Sequence, residues 1–229
     1  MSTYIDRDVQ PYYRLEKVSH FRDFIFLLAS RAGQTLNYQS LARDLGVSLS
    51  AVRLWTKILE VSHLIYLLKP FYMNLGSRIL KSPKLYFMDA GLVGYLTGVT
   101  DKKTLFHGPQ AGALFENFVI QEVVKHYLFS GREPRLFYYR NNHGLEVDLL
   151  IEEKFGSLRP CEVKLSRSPH AGMLNSIERL KKLNQKIIMD GDSLIGPRET
   201  VQALGHGAIA YGVKSFLSTL PGGSNRQDF

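Results

Sequence analysis

The stretch LEVDLLIEEKFGSLRPCEVKL, residues 145–165, decides how the chain is read. Its apolar residues alternate or run on as they do in strands, over 145–152 and again over 158–165. Side chains two apart in a strand share a face, so Glu162 and Lys164 project together while Cys161, Val163 and Leu165 project the other way. On the neighbouring strand Asp148 stands between Val147 and Leu149, whose apolar side chains suit the opposite, packed face. Asp148 is therefore expected beside Glu162.

Upstream, residues 112–129 carry helical periodicity. Steps of about 100° per residue put Glu116 in line with Ile120, Val123 and Tyr127, while Asn117, Gln121 and Lys125 form a polar stripe facing nearly the opposite way. A carboxylate aimed at apolar surroundings needs a cation or a hydrogen-bond donor. Glu116, Asp148 and Glu162, with Lys164, thus predict a site for Mg2+ or Mn2+, ions that prefer oxygen ligands and keep waters that a substrate phosphate can replace. Such an ion offsets charge developing on phosphoryl oxygens and acidifies a bound water. Lys164 is expected to orient that nucleophile or to neutralise the same charge, and phosphodiester hydrolysis follows. The plainer alternative is an ion pair between Glu162 and Lys164, with Asp148 a sheet-edge charge that limits aggregation. Glu116 and the order of elements favour the metal site. Turnover is a separate matter, since a domain can keep ligands and bind structures without cutting them.

Working outward, the second half reads α-β-β-β-α-β, with a long helix at 112–129, strands at 135–140, 145–152 and 158–165, a helix at 170–183 and a strand at 186–189. A last apolar stretch, 207–213, is expected as an edge strand, and 215–229 as a flexible tail. The first half opens with a connector, 1–16, and a helix over 21–29. A helix-turn-helix pattern follows. Its first helix is 38–45, Gly46 makes the turn, and Ser48 caps a second helix that runs to about 61. Strands at 63–72 and 84–88, separated by a turn at 74–77, suggest a wing, and 91–98 a short helix. The expected organisation is a winged-helix-like domain at 17–98, a linker at 99–110 and an α/β core at 111–214, in the mixed α+β class.

The 29 Lys and Arg against 21 Asp and Glu give a formal charge of +8, which makes a polyanion such as DNA the first partner to consider. Ser50, Arg53, Thr56 and Lys57 on the second helix are the groups expected to reach a groove or its phosphates. That helix also carries Leu54, Trp55 and Ile58, some of which must enter a core, so docking against another domain is the competing use. Arg140, Lys154, Arg159 and Arg167 lie near the proposed site, where solvated surface charge is the commoner role. One cysteine, Cys161, excludes an internal disulfide and a Cys-rich zinc site, and a buried thiol is expected. The seven histidines lack ligand spacing, and His143 reads as a turn residue before a proton shuttle. There is no nucleophile elbow for serine catalysis and no phosphate-binding loop, so ATP hydrolysis is not expected. No stretch is apolar over the roughly 18 residues a bilayer span needs. The N-terminus lacks a signal peptide's apolar region, and a soluble cytoplasmic protein without membrane partners is expected.

The combination of Asp148, Glu162-Val163-Lys164 fourteen positions on, and a helical Glu116 before them resembles the PD-(D/E)xK nuclease signature shared by restriction endonucleases, although Leu145-Glu146 replaces its proline. The resemblance implies a restriction-endonuclease-like core that holds Mg2+. More of the chain, about 4–213, resembles the C-terminal region of prokaryotic AAA+ ATPases that ends in a domain of unknown function numbered 4143. That likeness rests on LNYQSLARDLGV at 36–47, KSPKLYFMDAGL at 81–92, GALFEN at 112–117, Glu146-Val147-Asp148 and Glu162-Val163-Lys164. It implies an ATPase module as a partner in cis or in trans. Both a fragment of a longer ATPase and a short product keeping only this part fit the sequence.

Overall fold

A computed structural model describes residues 18–72, 82–99 and 101–222. The expected connector 1–16, the turn at 74–77 and the end of the tail from 223 lie outside the described residues. The class is mixed α+β, as expected.

The first helices follow local signals. Helix α1, Val18–Ala29, is followed by α2, Tyr38–Leu45, whose N-terminus is capped by Asn37 accepting from Ser40 N. Gly46 ends α2 in the left-handed region, φ 63°, a conformation only glycine adopts without Cβ strain. Ser48 then caps α3, Leu49–Val61, by accepting from Ala51 N. Phe21, Phe24 and Trp55 form an aromatic cluster that joins α1 to α3.

Strands β1, Ile65–Pro70, and β2, Lys84–Phe87, pair antiparallel as the expected hairpin would. They do not stand apart from the second half. Lys69 and Pro70 of β1 pair in parallel with Phe137 and Tyr138 of β3, Leu136–Arg140. One sheet therefore runs through both halves. Among the described residues its order is β2-β1-β3-β4-β5-β7-β9-β8, where β4 is Glu146–Lys154, β5 Ser157–Val163, β7 Ser193–Gly196, β8 Gln202–Gly205 and β9 Ala208–Gly212. The expected short helix is α4, Ala90–Leu96, and the span read as a linker holds one more, α5, Lys102–His107, capped by Asp101.

The long helix α6, Ala111–Phe129, covers one face of the sheet, packing Val119, Ile120 and Val123 over Leu149, Ile151, Cys161 and Ile195. Helix α7, Asn175–Leu183, covers the other, packing Ile177 and Leu180 against Leu150, Leu158 and Leu194. The expected strand at 186–189 shrinks to β6, Ile188–Met189, beside the start of β5. The strand that pairs with Cys161, Glu162 and Val163 is instead β7, which its short run of four residues had hidden.

Three expectations about exposure are corrected. The stretch ending at 213 is not an edge strand, because β9 pairs with β7 on one side and β8 on the other. The tail does not begin at 215, because α8, Val213–Ser218, buries Phe216 and is followed by a buried Leu220. Asn117 and Gln121 are buried and not on a solvated stripe. The reason for Asn117 is tertiary: β2 is the edge of the sheet, and the outward N–H and C=O of Phe87 find no strand there. Asn117 Oδ1 accepts from Phe87 N at 2.8 Å and Nδ2 donates to Phe87 O at 2.9 Å, completing the ladder with a side-chain amide. No helix among the described residues is long and apolar enough to cross a membrane.

Replacing Asn117 by alanine strands both backbone groups of Phe87 in the interior. The expected loss of unfolding free energy is about 2–4 kcal/mol, measured by urea denaturation of the full chain. A loss below about 0.5 kcal/mol, the scale of an ordinary surface substitution, would contradict the role assigned to this pair.

Candidate functional site

Asp148, Glu162 and Lys164 do meet. Lys164 Nζ lies 2.6 Å from Glu162 Oε2 and 3.1 Å from Asp148 Oδ2, and Asp148 Oδ2 also accepts from Val163 N at 2.9 Å. Lys164 is held just past β5 by its own N–H, which donates to Ile195 O at 3.0 Å. The turn behind it packs closely on β7: a Cβ at Gly196 would stand 3.1 Å from Ser166 O. Asp148 is aimed by an irregularity that the alternation did not reveal. The register passes from Tyr139↔Val147 to Phe137↔Leu150, so β4 carries one more residue than β3 at this point, a β-bulge. In consequence Val147 packs on the α7 side with Leu150 while Leu149 packs under α6. The expectation that Val147 and Leu149 share one face is corrected accordingly.

Glu116 reaches the same neighbourhood with partners the sequence reading did not name. Its Oε1 accepts from Tyr86 Oη at 2.6 Å and from Lys84 Nζ at 3.0 Å. Lys84 Nζ also lies 2.5 Å from Glu146 Oε1 and 5.7 Å from the centroid of the Tyr138 ring. Both Lys84 and Tyr86 come from β2, where they alternate with Leu85 and Phe87. That alternation was the available signal, and it was hidden because all four residues are buried. Leu85 and Phe87 enter the core under α1 and α3, and Tyr86 enters the core under α6.

The electrostatics follow from burial. Desolvation alone would raise the Asp148 pKa, but Lys164, Lys84 and the Val163 N–H outweigh it and hold the carboxyl below its ordinary range. Burial, with Asp148 beside it, pushes Glu162 up to about 8. Burial likewise raises Glu116 despite Lys84 and Tyr86. Glu162 is 2% exposed and its Oε1 is buried with no hydrogen-bond partner. Such an oxygen calls for a proton or a cation. The donor set is all oxygen, which suits Mg2+ or Mn2+. Among the described residues, however, no three acidic, histidine or cysteine side chains converge as a complete ligand set. Asp148 and Glu162 are brought together, whereas Glu116 is held apart by Lys84 and Tyr86.

The remaining expected residues divide. Ser50, Arg53 and Lys57 are exposed on α3, with Lys57 paired to Glu60 at 2.9 Å and Arg53 over the Tyr38 ring. Thr56 is corrected: it is 2% exposed and its hydroxyl donates to Val52 O within the helix, out of reach of a groove. Trp55 and Ile58 enter the core, while Leu54 stays exposed. Arg159 is also corrected, being buried against Tyr211 and Phe216 and bonded to Ser193 and Thr219. His143 lies in the β3–β4 turn, where its N–H donates to Asn141 Oδ1. Cys161 is fully buried, and burial pushes its thiol up to about 12. A cavity of about 910 Å3 lies between α4, α5, α6 and the turn after β7, next to Leu165, with Tyr95, Phe106 and Phe118 on its wall.

Two family models match successive parts of the chain. Two curated relatives, an uncharacterised protein of Mycobacterium bovis and one of Mycobacterium tuberculosis, are each 27% identical over 206 residues, 89% of this chain and 46% of theirs. The chain thus spans about half the length of the curated relatives it matches. No solved structure matches it. Residues 1–103, which include Lys84 and Tyr86, match a family described as Domain of unknown function (DUF8612). Residues 111–214, which include Glu116, Glu146, Asp148, Glu162 and Lys164, match the family described as Domain of unknown function (DUF4143).

Proposed function

We propose that this chain is a Mg2+- or Mn2+-dependent phosphodiesterase acting on DNA, with a restriction-endonuclease-like core of the PD-(D/E)xK kind and a winged-helix-like module before it. The observation that carries this reading is the buried, unpartnered Oε1 of Glu162 beside Asp148 and Lys164. Asp148 and Glu162 would hold the ion, and Glu116, tied to Lys84 and Tyr86, would stiffen the site around them. When bound, the ion would polarise the scissile phosphate and acidify a water. Lys164 would hold that water and offset charge on the phosphoryl oxygens. Its side chain is 40% exposed, so it can turn from the carboxylates towards a substrate. The exposed Ser50, Arg53 and Lys57 are the groups we assign to phosphate contact on α3. The overall charge of +8 favours such a partner. Following the resemblance to AAA+ ATPase C-terminal regions, the natural setting would be the cytoplasm, beside an ATPase module in the same chain or another.

A second reading has its own support. Lys164 and Lys84 already pair the carboxylates, and no complete ligand set converges among the described residues. On that reading the same surface recognises DNA or a protein, or assembles an ATPase, without hydrolysis.

Incubation with plasmid and single-stranded DNA separates the two. Wild type is expected to cut only with Mg2+ or Mn2+, and Asp148→Ala to lose at least about 100-fold in rate. DNA binding without cleavage under any divalent ion would support the second reading, and cleavage surviving in Asp148→Ala would remove Asp148 from the mechanism.

The proton on Glu162 gives a further expectation. Its folded pKa, about 8, is above the ordinary 4.5, so the folded protein holds this proton more tightly than the unfolded chain does. The resulting stability is complete below 4.5 and is lost as pH rises through about 8. Urea midpoints of ion-free protein should fall across that window, less so in Glu162→Gln or with Mn2+ added. Identical pH slopes in wild type and Glu162→Gln would show that Glu162 does not titrate in this way.

A further inference from the structure

The acidic cluster divides into two pairs, each straddling one ammonium. Lys164 stands between Asp148 and Glu162, and Lys84 between Glu116 and Glu146. The two halves differ in a way that bears on how many ions the cluster can admit.

On the Lys164 side the ammonium is replaceable. Its side chain is 40% exposed, and Glu162 Oε1 has no partner. On the Lys84 side the ammonium is enclosed. Its side chain is 4% exposed, it lies over the Tyr138 ring, and its strand is fixed by Leu85 and Phe87, both fully buried. Three of the four carboxylate oxygens there also have partners. Glu116 Oε1 receives both Tyr86 Oη and Lys84 Nζ, and of the Glu146 oxygens, Oε1 pairs with Lys84 and Oε2 faces Arg140 at 3.5 Å. A divalent ion entering that half would have to displace this buried ammonium, against the repulsion of its charge.

We propose that Lys84 takes the electrostatic place of a second divalent ion, so that the cluster admits one ion, on Asp148 and Glu162, while Glu116 and Glu146 serve as counter-ions of Lys84. This rests on the metal-site reading above. Lys84 is then a positioning residue, and its strand lies in the half of the chain that precedes the α/β core. The N-terminal half thus supplies a fixed charge to a site whose ligands lie in the other half.

Counting bound Mn2+ by electron paramagnetic resonance and calorimetry on the full chain tests this without recourse to activity. Wild type should bind one ion. Lys84→Met, which frees two carboxylates, should bind a second. Should Lys84→Met fail to fold, the variant combining Lys84→Met, Glu116→Gln and Glu146→Gln removes the charges together. It should bind one ion and no second. Two ions in wild type, only one in a folded Lys84→Met, or two in the triple variant, would overturn the proposal while leaving the metal site in place. No Mn2+ uptake by wild type would instead overturn the metal reading itself and this proposal with it.

Discussion

Charge removed from water organises this protein. Glu116, Asp148 and Glu162 are largely withdrawn from solvent, and a desolvated carboxylate persists only with a compensating cation, donors or a proton. Each finds a different remedy. Asp148 takes a backbone N–H and two nearby ammoniums and stays ionised. Glu116 takes a lysine and a tyrosine from a strand more than two dozen residues upstream. Glu162 has Lys164 on one oxygen and nothing on the other, and its pKa rises. The function proposed for the chain follows from that inequality, because the oxygen left without a partner is where a cation gains most.

These remedies need several elements brought to one place, and the fold has specific devices for it. The amide of Asn117 completes the edge of β2, which fixes α6 against that strand and sets the adjacent Glu116 opposite Lys84 and Tyr86. The bulge in β4 turns Asp148 without moving the apolar residues on either side out of their cores. The parallel pairing of β1 with β3 carries the hairpin of the first half into the sheet of the second. The two halves match different families, yet their side chains share one cluster of charges. A boundary drawn from sequence and a boundary drawn from electrostatics therefore fall in different places.

Much of this was legible beforehand. The helices around Gly46 and Ser48 follow from local capping chemistry, which depends on a few neighbouring residues and is readable from them. The convergence of Glu162 with Lys164 follows from the period of a strand, and that of Asp148 with Glu162 from the adjacency of successive strands. Less was legible where a polar residue is buried by a distant partner. Asn117 and Arg159 look like surface residues until Phe87 and the Tyr211–Phe216 pair are placed against them. Strand β7 escaped notice because four residues give too short a pattern to distinguish from a turn.

By itself, then, the sequence determined the mixed α+β class, the order of the main elements, the pairing of Glu162 with Lys164 and the place of Asp148 on the neighbouring strand, because periodicity and short-range capping act over a few residues. The tertiary structure decided that Glu116 belongs to Lys84 and Tyr86, that one sheet joins the halves, and that a bulge aims Asp148. Those outcomes depend on which strand edge lies beside which helix, and on a register slip of one residue, quantities set by long-range packing that no local pattern records.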